Sequence, residues 1–349
     1  MNDLGVSKFV IGTVGTVASF IYGAGALVGG PLGDKIGETK TITLFLALSG
    51  VSTFLMLLAK NIALYALVLV LIAVWASLYH PTANSLISKA FQTKTAEAMG
   101  LHGVGGTLGV MLTPTIAWFI GSFFGWQFAF ISFGVPCIIL AMTLVKNVKK
   151  SESKVVSNIR FLDAFKIPEL RIVLVFNIMI GLFMKGVEYY FPTYLKEVKL
   201  IDPMWASIAY TLVLASGVPA QWVGGKTADL FGSKKVLIAT SLGVVLSLLA
   251  LQFFPVTMLG VALFIALYGV SFYAHQPALN SLTGLCCPED MRGTVYGLFF
   301  FTSFGVGSIS QSIAGYFADN FGWEPAFILL TIFALTALII SLRLPRKRS

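Results

Sequence analysis

From Phe9 onward the chain is a succession of long apolar runs separated by short polar ones, and the runs do not alternate: "LYALVLVLIAVWASL" at 64–78 shows no period of two. About 20 apolar residues at 1.5 Å per residue cross a hydrocarbon layer of about 30 Å as a helix, whereas a membrane strand needs roughly 10 residues of alternating character. The pattern predicts eleven spanning helices: 9–30, 41–59, 62–86, 97–120, 126–145, 171–194, 204–224, 235–254, 257–284, 293–317 and 324–342. The first run is longer than the apolar core of a signal peptide and is read as a retained span.

The polar breaks repeat. "GGPLGDKIGETK" (29–40) returns as "GGKTADLFGSKK" (224–235), pairing Gly29 with Gly224, Gly30 with Gly225, Asp34 with Asp229, Gly37 with Gly232 and Lys40 with Lys235. "HPTANSL" (80–86) returns as "QPALNSL" (276–282), and "FGWQFAFI" (124–131) as "FGWEPAFI" (321–328). Three matches in order at offsets of 195, 196 and 197 identify a tandem duplication. Both copies fall on one side of the membrane, so the repeats are parallel and each has an even number of spans. The second repeat has six. The counterpart of its first helix would precede Met1, so the first repeat is expected to hold five. The fold expected is an all-α, polytopic membrane protein with a five-helix bundle at 1–145, a linker at 146–170 and a six-helix bundle with a basic tail at 171–349.

Composition agrees: 57% of the 349 residues are hydrophobic and 11% charged, with a mean hydropathy of +0.87, against about 25% charged in soluble domains. Nineteen of the 24 Lys and Arg fall on one side of the eleven spans and four on the other. The positive-inside rule then makes the carboxyl end cytoplasmic and the amino end extracytoplasmic, in an inner or plasma membrane. That asymmetry accounts for the net charge of +9, so no nucleic-acid partner is called for; the partners are the bilayer and a small solute, and the protein is expected to be a monomer. In the linker, Phe161, Leu162 and Phe165 at helical spacing predict a short helix on the membrane surface. Cys137, Cys286 and Cys287 follow no metal or disulfide spacing and are read as small apolar fillers.

Two parallel repeats, a basic central loop and a duplicated glycine-aspartate patch together resemble the major facilitator superfamily of secondary transporters. The signature loop of that family is matched by Gly30, Asp34, Lys35, Gly37 and Lys40, and again by Gly225, Asp229, Gly232, Lys234 and Lys235; Thr39 and Leu230 stand where basic residues are usual. The resemblance implies that Gly30, Asp34, Lys35, Gly37, Gly225, Asp229 and Gly232 form cytoplasmic gating motifs. Physically, the aspartate can cap a neighbouring helix N-terminus or pair with a basic residue. In "GLHGVGGTLGVMLTP" (100–114), Gly105 and Gly109 read as a helix-packing surface.

Ionisable groups inside spans mark candidate chemistry, because each is costly there. Lys185 and Glu188 lie at i and i+3 on one helix face, where Lys185 would take a substrate carboxylate or phosphate and Glu188 a proton or cation; a structural ion pair is the bland alternative. His80 with Asn84, and Gln276 with Asn280, are i, i+4 pairs beside Pro81 and Pro277, which should kink or loosen their helices. His275 is a further proton-carrier candidate, and Trp75 and Tyr79 would stack on an organic solute from the same face as His80. None of the histidines lies in a metal-ligand pattern, and no catalytic constellation or nucleotide-binding loop is present. The expectation is a secondary transporter, not an enzyme, that moves a small, anionic organic solute by alternating access; it uses no cofactor and couples, if at all, to protons or Na+. The alternatives are proton-coupled efflux of hydrophobic or drug-like compounds, and a non-transporting sensor or scaffold.

Overall fold

A computed structural model describes residues 8–147, 161–253 and 258–346. The first repeat contains α1 (Lys8–Ile36), α2 (Glu38–Phe54) with a 3-10 extension at Leu55–Leu58, α3 (Ile62–Ala76), α4 (Tyr79–Ala90), α5 (Thr95–Phe124) and α6 (Trp126–Asn147). After the short α7 (Phe161–Ala164) come α8 (Pro168–Glu197), α9 (Pro203–Phe231), α10 (Ser233–Phe253), α11 (Met258–Leu285), α12 (Arg292–Phe300), α13 (Ile309–Phe321) and α14 (Trp323–Ser341). Every predicted span coincides with a helix or a pair of helices, and among the described residues six stretches, Glu38–Leu58 and Pro168–Glu197 among them, are long and apolar enough to cross a membrane. Residues 148–160 of the linker lie outside the described residues; Leu162 and Phe165 beside them are exposed.

The repeated polar breaks are the corners of the fold. Gly37, Gly125, Gly232 and Gly322 have φ of 96°, 98°, 91° and 91°, a region that a Cβ disfavours. They sit at the α1–α2, α5–α6, α9–α10 and α13–α14 joints, and they form two duplicated pairs. A glycine there reverses the chain within one residue and lets the next helix begin at once. Other starts use ordinary devices: the Asn61 side chain accepts from Leu64 N at 2.9 Å, and Pro168 opens α8, where its missing N–H goes unused.

Two of the predicted spans are interrupted. The helix at 62–86 breaks at Ser77–Leu78, between α3 and α4; Pro81 provides no N–H for the Ser77 carbonyl and its ring crowds it. Pro277, the duplicated partner, lies within the uninterrupted α11. The span at 293–317 contains a π-helical turn at Phe301–Val306, in a run holding Gly305 and Gly307.

The chain forms two compact units that cut across the sequence repeats. The first comprises the described parts of Met1–Leu86, Leu112–Phe161 and Glu289–Phe301. In it α2 packs on α6 and on α3, and α1 packs along α12. Small residues allow the approach: a Cβ at Gly134 would lie 2.9 Å from the Gly50 carbonyl oxygen. The second unit comprises the described parts of Ile87–Met111, Leu162–Pro288 and Thr302–Ser349. There α9 and α10 flank α11, and α8 and α10 pack on α14. Gly224 abuts Ala274, Gly269 abuts Ser216 and Gly186 abuts Leu330, as expected where dispersion and close backbone approach replace the hydrophobic effect. Large apolar side chains such as Leu67, Ile139, Leu246 and Ile339 stay exposed, which suits a surface solvated by acyl chains.

Candidate functional site

Within the first unit, α1 delivers Asp34 to the start of α12. Its carboxylate accepts from Gly293 N at 3.0 Å, Thr294 N at 2.8 Å and Thr294 Oγ1 at 3.1 Å, and it is only 8% exposed. This is the geometry of a cap: an anion satisfies orphan N–H groups at the positive end of a helix. The backbones touch. A Cβ on Gly30 would collide with the Gly293 carbonyl oxygen, and one on Gly297 with the Ala26 carbonyl oxygen.

Within the second unit the same device recurs with the repeats exchanged. Asp229 on α9 accepts from Ala96 N at 3.2 Å and Glu97 N at 2.8 Å, at the start of α5. Gly225 faces the Ala96 carbonyl, and Gly100 faces that of Gln221. Each backbone contact in one unit has a counterpart in the other, so the duplicated motif of each repeat holds the fifth-helix region of the other. The two copies differ in strength, because Asp34 is buried with three donors whereas Asp229 is exposed with two. Lys35 is exposed beside its aspartate.

These contacts make Gly293→Val an overpacking substitution expected to lower stability by about 1–3 kcal/mol, read as a fall in melting temperature in detergent. Gly105→Ala is its opposite. Among the described residues a Cβ at Gly105, Gly106 or Gly109 would meet nothing within 4 Å, which corrects the expectation that Gly105 and Gly109 are packing surfaces; Gly100 and Gly103 do that instead. Removing a helix-interior glycine there is expected to cost nothing and to gain up to about 1 kcal/mol. A lowered melting temperature for Gly105→Ala would contradict the open space around it.

The other candidates fall into separate groups. Lys185 and Glu188 form an ion pair at 3.4 Å, part-buried on α8. The Lys185 ammonium also lies 4.4 Å from the centre of the Phe304 ring, in the π-helical turn. One face of α8 meets that turn throughout: Asn177 donates to Thr302 Oγ1 at 2.9 Å, and Gly181 leaves room for the Ser303 backbone. A π-helical turn beside an intramembrane cation is a frequent mark of function. Tyr210, Tyr268 and Tyr273 are within electrostatic range of Glu188, and the buried Tyr268 hydroxyl has no partner among the described residues.

Gln276 joins a buried network that the sequence did not reveal: Gln221 donates from Nε2 to Thr107 Oγ1 at 2.9 Å and to Gln276 Oε1 at 3.2 Å. Its own Oε1 lacks a partner among the described residues. Gln221 was legible only as a polar residue in a span. His275 is buried with Nδ1 against the Phe272 carbonyl, and Asn280 is half-buried on the same helix. In the first unit His80 stacks on Phe300 at 5.1 Å and meets Tyr22 edge-on at 6.3 Å. Asn84 is buried, its Nδ2 without a partner among the described residues. Tyr79 packs on Phe45 at 4.8 Å. Trp75 and Tyr79 do not share one helix face, because the Ser77–Leu78 break separates them. Outside the spans, burial and the nearby Glu169 push the Cys286 thiol up to about 12, which keeps it unreactive.

Among known proteins, the Bacillus subtilis glycerol-3-phosphate transporter is 22% identical over 97% of this chain and 84% of its own length. The Clostridioides difficile riboflavin transporter RibZ is 24% identical over 93% of this chain and 84% of its own. The crystal structure of FucP in the outward conformation superposes with a TM-score of 0.80 at 15% identity, over 99% of this chain and 92% of that one. The human organic anion transporter MFSD10 gives 0.79 at 14%, over 94% and 82%. Residues 1–312 match the Major Facilitator Superfamily pattern; with the duplicated corners and the paired aspartate caps, the chain belongs to the major facilitator superfamily of transporters.

Proposed function

We propose that the protein carries a small anionic organic solute across the membrane by alternating access, with Lys185 as the anion contact. The observation that carries this reading is the part-buried Lys185 ammonium on α8, balanced by the single Glu188 carboxylate and held over Phe304. An ammonium in this setting binds a carboxylate or phosphate far more strongly than it would in water, because the local dielectric is low. Glu188 holds the cation when no solute is present and is the group that a proton or Na+ would compensate once the solute displaces it. The glycerol-3-phosphate transporter and the organic anion transporter among its relatives support the charge class. The aspartate caps on α12 and α5 serve as the contacts that form and break as access alternates.

Counterflow in proteoliposomes tests this. Vesicles preloaded with glycerol 3-phosphate, or with small carboxylates, are expected to accelerate entry of the same labelled solute, whereas glycerol and organic cations are expected to give none. Counterflow confined to neutral or cationic solutes would reject the anionic assignment.

A further inference from the structure

We propose that the second repeat holds one anionic phospholipid, its phosphate in a cationic cavity at the start of α10 and an acyl chain in the adjoining apolar groove. The cavity, of about 250 Å³, is lined by Gln92, Ser233, Lys234, Lys235, Ser281 and Arg346. A second space of about 530 Å³ runs beside it along α9, α10 and α11, with an almost wholly apolar wall that includes Val223, Val236 and Val270. Phe231 and Lys235 line both spaces. A cavity walled by three basic side chains and sharing two wall residues with an apolar groove has the form of a headgroup joined to a chain, which a free inorganic anion would fill only in part.

The charges favour an anion. Lys234, Lys235 and Arg346 converge on the cavity, and the one acidic residue in the wall, Asp229, already accepts from Ala96 and Glu97. Ser281 is 2% exposed and lines the same wall, where its hydroxyl can meet a phosphate oxygen. Basic pockets between spanning helices, at the face where basic loops collect, are suited to anionic headgroups.

The first repeat shows what belongs in that space. At the positions equivalent to Ser233 and Ser281 it carries Glu38 and Ser85. Glu38 is 6% exposed at the start of α2, and its carboxylate accepts from Ser85 Oγ at 3.3 Å. There the chain supplies its own anion. In the second repeat serine replaces that acid and lysine replaces Thr39, so the equivalent space lacks the acid that fills it in the first repeat and carries one more cation.

The experiment is native mass spectrometry of the full chain, delipidated into mild detergent and supplied with phosphatidylglycerol or phosphatidylcholine. Wild type is expected to retain one phosphatidylglycerol per chain, to retain phosphatidylcholine at least about tenfold less, and to keep its lipid in millimolar inorganic phosphate. Lys234→Gln with Lys235→Gln is expected to lower retention by about tenfold or more. Ser233→Glu leaves every cation in place and should exclude the lipid as Glu38 does in the first repeat, so it decides the matter if the double lysine variant folds poorly. Equal retention of phosphatidylcholine, displacement by inorganic phosphate, or undiminished phosphatidylglycerol in Ser233→Glu each overturns the proposal.

Discussion

Asp34→Asn is expected to slow solute transport by about 10- to 100-fold while changing solute affinity by less than about threefold. The carboxylate accepts three hydrogen bonds at the start of α12, two of them from orphan backbone N–H groups. Hydrogen bonds to a charged acceptor contribute about 1.5–3 kcal/mol, and each 1.36 kcal/mol is tenfold in a rate. Asparagine retains one acceptor but turns an NH2 toward the same donors, so the state with α12 docked on α1 loses stability. Asp229→Asn should have a smaller effect, since that aspartate is exposed and accepts two bonds. Turnover in proteoliposomes and solute binding by calorimetry separate the two quantities. If Asp34→Asn leaves turnover unchanged, or weakens binding as much as it slows transport, the cap is not a gate.

The second large effect is at Lys185. Lys185→Ala should reduce transport of the anionic solute by at least about 100-fold, because truncating one member of a hydrogen-bonded charge pair costs about 2–5 kcal/mol where it is buried, this pair is part-buried, and the solute loses its cation as well. Glu188→Gln separates the explanations. A solute-binding lysine freed from its carboxylate should hold the anion more tightly, lowering KM, whereas a purely structural pair should be damaged equally by either substitution. The double variant Lys185→Ala with Glu188→Gln is expected to insert and fold but to stay inactive. Recovery of transport in the double variant would reduce the pair to a structural role.

Much of this was legible in the order of residues. Eleven apolar runs became helices because a backbone in hydrocarbon must satisfy its own hydrogen bonds, whatever packs around it. Duplication of "GGPLGDKIGETK" and "FGWQFAFI" marked the corners because a reversal at positive φ needs glycine wherever it occurs. The partners of those motifs were not legible. Asp34 meets Gly293 and Thr294 some 260 residues away, and nothing in its neighbourhood names them.

The same division runs through the candidate site. An ionic pair at i and i+3 follows from helical geometry alone, so Lys185 and Glu188 could be paired on paper. Their meeting with Phe304 depends on a π-helical turn packed on the face of α8 that carries Asn177 and Gly181. Spanning helices are apolar on every side, so hydrophobic periodicity does not say which face turns inward. For that reason Gly105 and Gly109 read as packing residues yet stand in open space, while Gly100 and Gly103 carry the contact. Local composition determined the helices, their corners and their duplication, because those depend on the chain's own backbone and on the solvent around it. Helix rotation and long-range packing decided which donors Asp34 would cap, that Gln221 would bridge Thr107 and Gln276, and that Ser233 would leave open the space that Glu38 fills.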